Sequence, residues 1–217
     1  MSMPKLIPTL KSLIIQRMNQ APIGTVWTPT DFLELGQRDA IDKTLQRMVA
    51  SGNLRRIDRG LYDKPHINTL THKPAAADYR SIINAVGRRN QVRVLIDGIT
   101  AANDLGLTNA VPGQIIVHTD GRIQPIQLGN LIIKFKLTAP SKLYWAGRPA
   151  MHIVQALYWL RDSLKNDEQM IQEITAKLIR FLRDPKQGSQ ICKDLQAGLH
   201  TVPLWMRKWI QELLVKV

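Results

Sequence analysis

Covalent cross-links are absent from this chain's repertoire: among 217 residues there is one cysteine, Cys192. No intramolecular disulfide can form, and a lone thiol without a neighbouring His or Asn pattern reads as packing rather than as a nucleophile. Acidic residues are scarce. There are 17 Asp plus Glu against 30 Lys plus Arg, a formal net charge of +13, so a polyanion is the expected partner. The charge is not a tail, because no long block of like charges occurs, and the basic residues are spread through folded-looking sequence. Long hydrophobic runs are missing as well. Pro8, Lys11 and Gln16 interrupt the N-terminal segment, which argues against a signal peptide or a membrane span and for a cytoplasmic protein. His66, His72, His118, His152 and His200 have no metal-ligand spacing, and the glycines form no phosphate-binding loop, so neither a metal nor a cofactor is expected.

What is present is informative from Thr28 to Tyr62. Thr28 suits an N-cap, Pro29 a first helical position and Asp31 the positive end of a helix dipole, with Phe32, Leu33 and Leu35 apolar and Gly36 offering a left-handed C-cap. A second helix is expected from about Gln37 to Ala50, where Ala40, Ile41, Thr44, Leu45, Met48 and Val49 recur at spacings of three and four. Its opposite stripe carries Arg38, Asp39, Asp42, Lys43, Gln46 and Arg47. After Ser51-Gly52-Asn53, two extended pieces, Leu54 to Ile57 and Gly60 to Tyr62, flank an Asp58-Arg59 turn and leave Arg56 or Arg59 at the tip. A preceding helix over about Pro4 to Met18 has Leu6, Ile7, Leu10, Leu13, Ile14 and Met18 as its core face. Three helices and a basic hairpin in this order read as a winged helix-turn-helix, which offers one helix and one hairpin to a DNA duplex.

With 44% hydrophobic content, the chain can bury one or two cores. The expected organisation is a winged helix-turn-helix domain over residues 1–64, a linker over residues 65–74 rich in Pro, His and Thr, and an α+β domain over residues 75–217. In that second domain a helix is expected over Ala75 to Gly87 with a basic exit through Arg88 and Arg89. Strands follow at Val92 to Ile96 and Gly113 to Thr119, with a helix between them at Ile99 to Leu105. Ile123 to Leu128 and Leu131 to Leu137 form a hairpin around Gly129-Asn130. Helical periodicity returns in Met151 to Lys165, Asp167 to Arg183 and Pro203 to Val217.

These blocks together resemble the antitoxin component of AbiE-type abortive-infection systems, the AbiEi-like transcriptional regulators. The resemblance rests on Val26-Trp27-Thr28-Pro29-Thr30-Asp31-Phe32, on Gly36, Ala40 and Leu45, and on Arg55-Arg56-Ile57-Asp58-Arg59-Gly60-Leu61-Tyr62. It continues through Ala101-Ala102-Asn103-Asp104-Leu105-Gly106-Leu107, Val111-Pro112, Thr119-Asp120-Gly121 and Ile126-Gln127-Leu128-Gly129-Asn130, and covers the chain to about Leu160. It implies a type IV antitoxin that represses its own toxin-antitoxin operon, binding double-stranded DNA at inverted repeats as a homodimer or cooperatively. It also implies a nucleotidyltransferase-type toxin as functional partner, without a stable complex. Such a protein is not an enzyme. Arg38, Lys43, Gln46 and Arg47 are then the helix contacts, and Arg55, Arg56 and Arg59 the hairpin contacts with phosphate or minor groove.

Other readings compete. A winged helix can be a protein-interaction module or a stand-alone repressor without a toxin. Asp97 and Asp120 at strand ends, with Lys134 and Lys136 on another strand, loosely resemble the centre of a metal-dependent nuclease. Against that, Asp97-Gly98 and Asp120-Gly121 are ordinary turn dipeptides, without the acid-x-lysine strand such nucleases use. Tyr144-Trp145, Tyr158-Trp159, Trp205 and Trp209 concentrate the large aromatics in the last third, as core or as an interface, with Trp205 and Trp209 the better interface candidates.

Overall fold

Thr9 begins the first helix, its hydroxyl accepting the Ser12 N–H at 3.2 Å, and Leu10–Gln20 (α1) follows with Ile14 and Met18 buried. The computed structural model describes residues 8–67, 69, 72 and 74–217, so Leu6 and Ile7, expected on this helix's core face, lie outside the described residues. Val26–Trp27 (β1) leads into a reciprocal cap. The Asp31 carboxylate accepts from the Thr28 N–H at 2.7 Å and from the Thr28 hydroxyl at 3.0 Å, which satisfies donors that a helix start leaves open.

The element so capped, Pro29–Phe32, is a single 3-10 turn. Phe32 is fully buried, but Leu33 faces solvent, which corrects its expected place on the apolar side. Gly36 does not take the left-handed conformation, since a 3-10 turn this short needs no such terminator. Arg38–Ala50 (α2) buries Ile41, Thr44, Leu45 and Met48. The Thr44 hydroxyl donates to the Ala40 carbonyl at 2.7 Å; Ala40 itself, expected in the buried stripe, is exposed.

Arg55–Asp58 (β2) and Leu61–Asp63 (β3) form the hairpin, and β1 completes an antiparallel sheet of order β1-β3-β2. Its turn lies at Arg59-Gly60, one step beyond the expected Asp58-Arg59, because Gly60 supplies the positive φ, +68°, that a tight turn requires. Ile14, Met18, Phe32, Ile41, Leu45, Met48, Leu54 and Tyr62 make one apolar cluster from α1, the 3-10 turn, α2 and the hairpin.

The chain divides into two compact units, Met1–Val92 and Arg93–Val217. Tyr79–Asn90 (α3), capped by Asp78, therefore belongs with the first unit, whereas the sequence groups it with the second. The helix buries Ile82, Ile83, Ala85 and Val86, and its C-terminal end is tied to the elements before it. Arg88 donates to both Asp31 carboxylate oxygens at 3.2 Å and to the Val26 carbonyl at 3.0 Å, and Arg89 donates to the Arg59 carbonyl. The Gly87–Asn90 stretch read as an exit is thus helix, and Gln91 ends it in the left-handed conformation. Ile67 and Pro74 pair across the expected linker, and the Ala75 N–H donates to His66 O at 2.8 Å.

In the second unit Val94–Ile96 (β4), Gln114–Thr119 (β5), Ile126–Leu128 (β6) and Leu131–Leu137 (β7) form a mixed sheet of order β4-β5-β7-β6. β5 and β7 are parallel; the outer pairs are antiparallel. Between β4 and β5 runs Gly98–Asp104 (α4), capped by Asp97. Helices follow at Met151–Leu160 (α5), Ser163–Asn166 (α6), Glu168–Leu182 (α7), Gly188–Gly198 (α8) and Leu204–Val215 (α9). The helix expected over Met151 to Lys165 ends at Leu160, and α8 has no counterpart among the expected elements. Its buried residues, Gly188, Ile191, Leu195 and Gly198, include only two large apolar side chains, too few to register as a periodic stripe. The fold is thus mixed α+β with two small sheets. Among the described residues no helix is long and apolar enough to cross a membrane.

Gly98 sits where α4 meets α5. A Cβ added there would lie 2.5 Å from Trp159 Cβ and 2.7 Å from the Gln155 carbonyl oxygen, and neither atom can swing away. Gly98→Ala is therefore expected to destabilise the protein by about 1–3 kcal/mol through overpacking. Urea unfolding measures this, and an unchanged midpoint would contradict the close approach.

Candidate nucleic-acid interface

The α2 helix divides sharply between its two faces. With Ile41, Leu45 and Met48 packed inward, helical geometry turns Arg38, Asp39, Lys43, Gln46 and Arg47 to solvent, where all five are exposed. The Arg38 guanidinium donates to Asp42 at 2.9 Å, an exposed (i, i+4) pair of the kind that contributes a few tenths of a kcal/mol and exchanges easily for a phosphate. Asp39 lies in the first turn, where the helix dipole favours its charge. Arg47 bends back to the Lys43 carbonyl at 3.3 Å. The side chains of Lys43 and Gln46 have no partner among the described residues.

The hairpin arginines have different fates. Arg55 grips Asp63 with two donors, Nε to Oδ1 at 3.0 Å and Nη2 to Oδ2 at 2.5 Å, while Nη1 reaches the Ala75 carbonyl at 2.9 Å. The Asp63 side chain is only 2% exposed. Arg55 is thus committed inside the unit, which separates it from the other residues expected to contact DNA. Arg56 stands opposite Tyr62 on the outer strand and is exposed, its Nε 3.4 Å from the Asp58 carbonyl. Arg59 occupies the turn with its side chain exposed and its carbonyl held by Arg89. Asp58, the acid nearest the tip, faces Arg89 at 3.8 Å, so its charge is offset. No spacing signal in the sequence identifies Arg88 and Arg89 as the residues that brace this surface; only the packing of α3 against the first unit does.

The two strand-end carboxylates of the second unit, Asp97 and Asp120, are both engaged by neighbouring donors. Asp97 accepts from the Thr100 N–H at 2.9 Å and the Ile116 N–H at 3.3 Å. Asp120 accepts from the Arg93 N–H and guanidinium at 2.9 and 2.8 Å, contacts that lower its pKa, the guanidinium most of all. Lys134 and Lys136 project on the exposed side of β7. Among the described residues no three His, Cys, Asp or Glu side chains gather as metal ligands. Of the aromatics, Trp145 is buried, Tyr158 and Trp159 are partly exposed, and Trp205 and Trp209 are half-buried.

Two substitutions separate the structural arginine from the surface one. Arg55→Ala strands a buried carboxylate and is expected to cost about 3 kcal/mol of unfolding free energy. Arg59→Ala should stay within about 0.5 kcal/mol of the parent. Chemical denaturation of the two variants side by side checks this, and equal stabilities would contradict the division.

No curated protein matches the chain. Among solved structures it is similar to the crystal structure of the RV2827C protein from Mycobacterium tuberculosis, at 17% identity and a TM-score of 0.42, over 97% of this chain and 82% of that one. A family model matches residues 13–186, so the chain belongs to DUF6088, a family of unknown function.

Proposed function

We propose that the protein is a DNA-binding transcriptional regulator whose first unit is a winged helix-turn-helix. The carrying observation is the exposed side of α2, where Lys43, Gln46 and Arg47 stand together above a fully packed apolar side, followed at once by a hairpin with Arg56 and Arg59 exposed. In this reading α2 enters the major groove, where the Gln46 amide can read an adenine edge and the cations meet phosphates. Arg56 and Arg59 then follow the backbone or minor groove beside it. Arg38 joins them by exchanging Asp42 for a phosphate. The net charge of +13 supplies the long-range attraction.

The resemblance to AbiEi-like antitoxins extends the proposal: the regulator represses its own operon and counteracts a nucleotidyltransferase-type toxin encoded beside it. That second task is assigned to the unit after Val92. Co-expression with the adjacent reading frame tests it, since an antitoxin restores growth and a plain repressor does not.

The DNA-binding reading is tested by fluorescence anisotropy with duplex from upstream of the protein's own gene and a scrambled duplex, across a salt series. Tighter binding to the native fragment with a steep salt slope is expected. Replacing Arg56 and Arg59 by Ala should weaken both duplexes alike and reduce the slope by about 1–2, while Gln46→Ala should narrow the gap between them by about 1–3 kcal/mol. Absence of binding at low salt would overturn the reading.

A further inference from the structure

The second unit contains a cavity of about 470 Å³ that the DNA-binding reading does not use. Its floor is the sheet, through His118 of β5; one wall is the segment after β7, through Ser141, Lys142 and Tyr144; the other is α5, through Gln155 and Tyr158. The volume falls in the range of small-molecule sites, about 300–1,000 Å³. The chemistry of the walls is more specific than the volume.

Tyr144 is held rigidly. The Arg148 guanidinium lies 4.5 Å above its ring centroid, and Trp145 and His200 meet it edge-on at 5.1 and 5.7 Å. Arg148 is itself anchored on Asp194. Opposite, Tyr158 leaves 42% of its surface open, a platform on which a planar group can stack.

His118 adds direction. The Thr138 hydroxyl donates to the Lys136 carbonyl at 3.1 Å, so its oxygen accepts from His118 Nδ1–H at 3.0 Å. That assigns the ring proton to Nδ1 and leaves Nε2 as an acceptor. Burial, and then the Lys136 charge, lower the His118 pKa against a smaller opposing pull from Asp97, which keeps the ring neutral at pH 7. Lys142, Ser141 and Gln155 have side chains without a partner among the described residues. The cavity therefore offers a cation, a hydroxyl, an amide, a ring acceptor and a stacking surface.

We infer that this cavity binds a nucleoside monophosphate or a closely similar ring-bearing phosphate ester. The base stacks against Tyr158 and presents an N–H to His118 Nε2, and the phosphate meets Lys142 and the Ser141 hydroxyl. The inference is independent of the first unit's reading. It gives the second unit a ligand through which a cellular nucleotide signal can act.

Isothermal titration of the full-length protein with AMP, GMP, CMP and UMP, and with adenosine and inorganic phosphate as half-ligands, tests it. Saturable binding of at least one monophosphate, about tenfold or more tighter than either half-ligand, is expected. Lys142→Ala and Tyr158→Ala should each weaken it by about tenfold. Lys142 is exposed, so its Ala variant should keep the parent melting temperature, and Lys142→Arg, which retains the cation, should restore most of the affinity. No monophosphate binding at about 1 mM, binding no tighter than inorganic phosphate, or binding unmoved by both Ala variants would overturn the inference.

Discussion

Asp63 ends the hairpin with its carboxylate out of water, and a charge so placed must be matched or it opposes folding. Arg55 supplies the match with two donors and spends a third on Ala75 O, so one guanidinium joins the first hairpin strand, the last, and the backbone beyond the segment in which Ile67 pairs with Pro74. The rest of the first unit is arranged around that join. Tyr62, next to Asp63, enters the core with Leu54 and Met48, and the hairpin tip is held from outside by Arg89 of α3.

The first unit of this strongly basic chain therefore divides its cations between two tasks. Arg55, Arg88 and Arg89 work inward on Asp63, Asp31 and backbone carbonyls, where bidentate geometry favours Arg over Lys. Arg56, Arg59, Lys43 and Arg47 face water. Composition alone cannot make this distinction, because it counts charges and says nothing of which are matched. It is the second group that the proposed DNA contact requires.

The legible parts of this fold were those governed by local chemistry. The spacing from Ile41 to Met48 marks a buried stripe and Gly129-Asn130 a hairpin, and each is found where the sequence puts it; the Thr28, Pro29 and Asp31 pattern marks a capped start, which caps a 3-10 turn in place of the expected short helix. What was not legible depends on distant partners. Arg55 reads as a surface cation until Asp63 is seen to be buried beside it, and α3 reads as part of the second domain until Arg88 reaches Asp31. The α8 helix carries too sparse a stripe to announce itself. The cavity beside His118 draws on a strand, a loop and a helix separated in sequence, so no motif could signal it.

The most direct test of the central claim, that the first unit meets DNA through α2 and the hairpin, is hydrogen–deuterium exchange of the full-length protein with and without its upstream duplex. New protection concentrated in Arg38–Ala50 and in the hairpin from Arg55 to Leu61 is the predicted result. Protection confined to residues beyond Val92, with α2 and the hairpin unchanged, would contradict it.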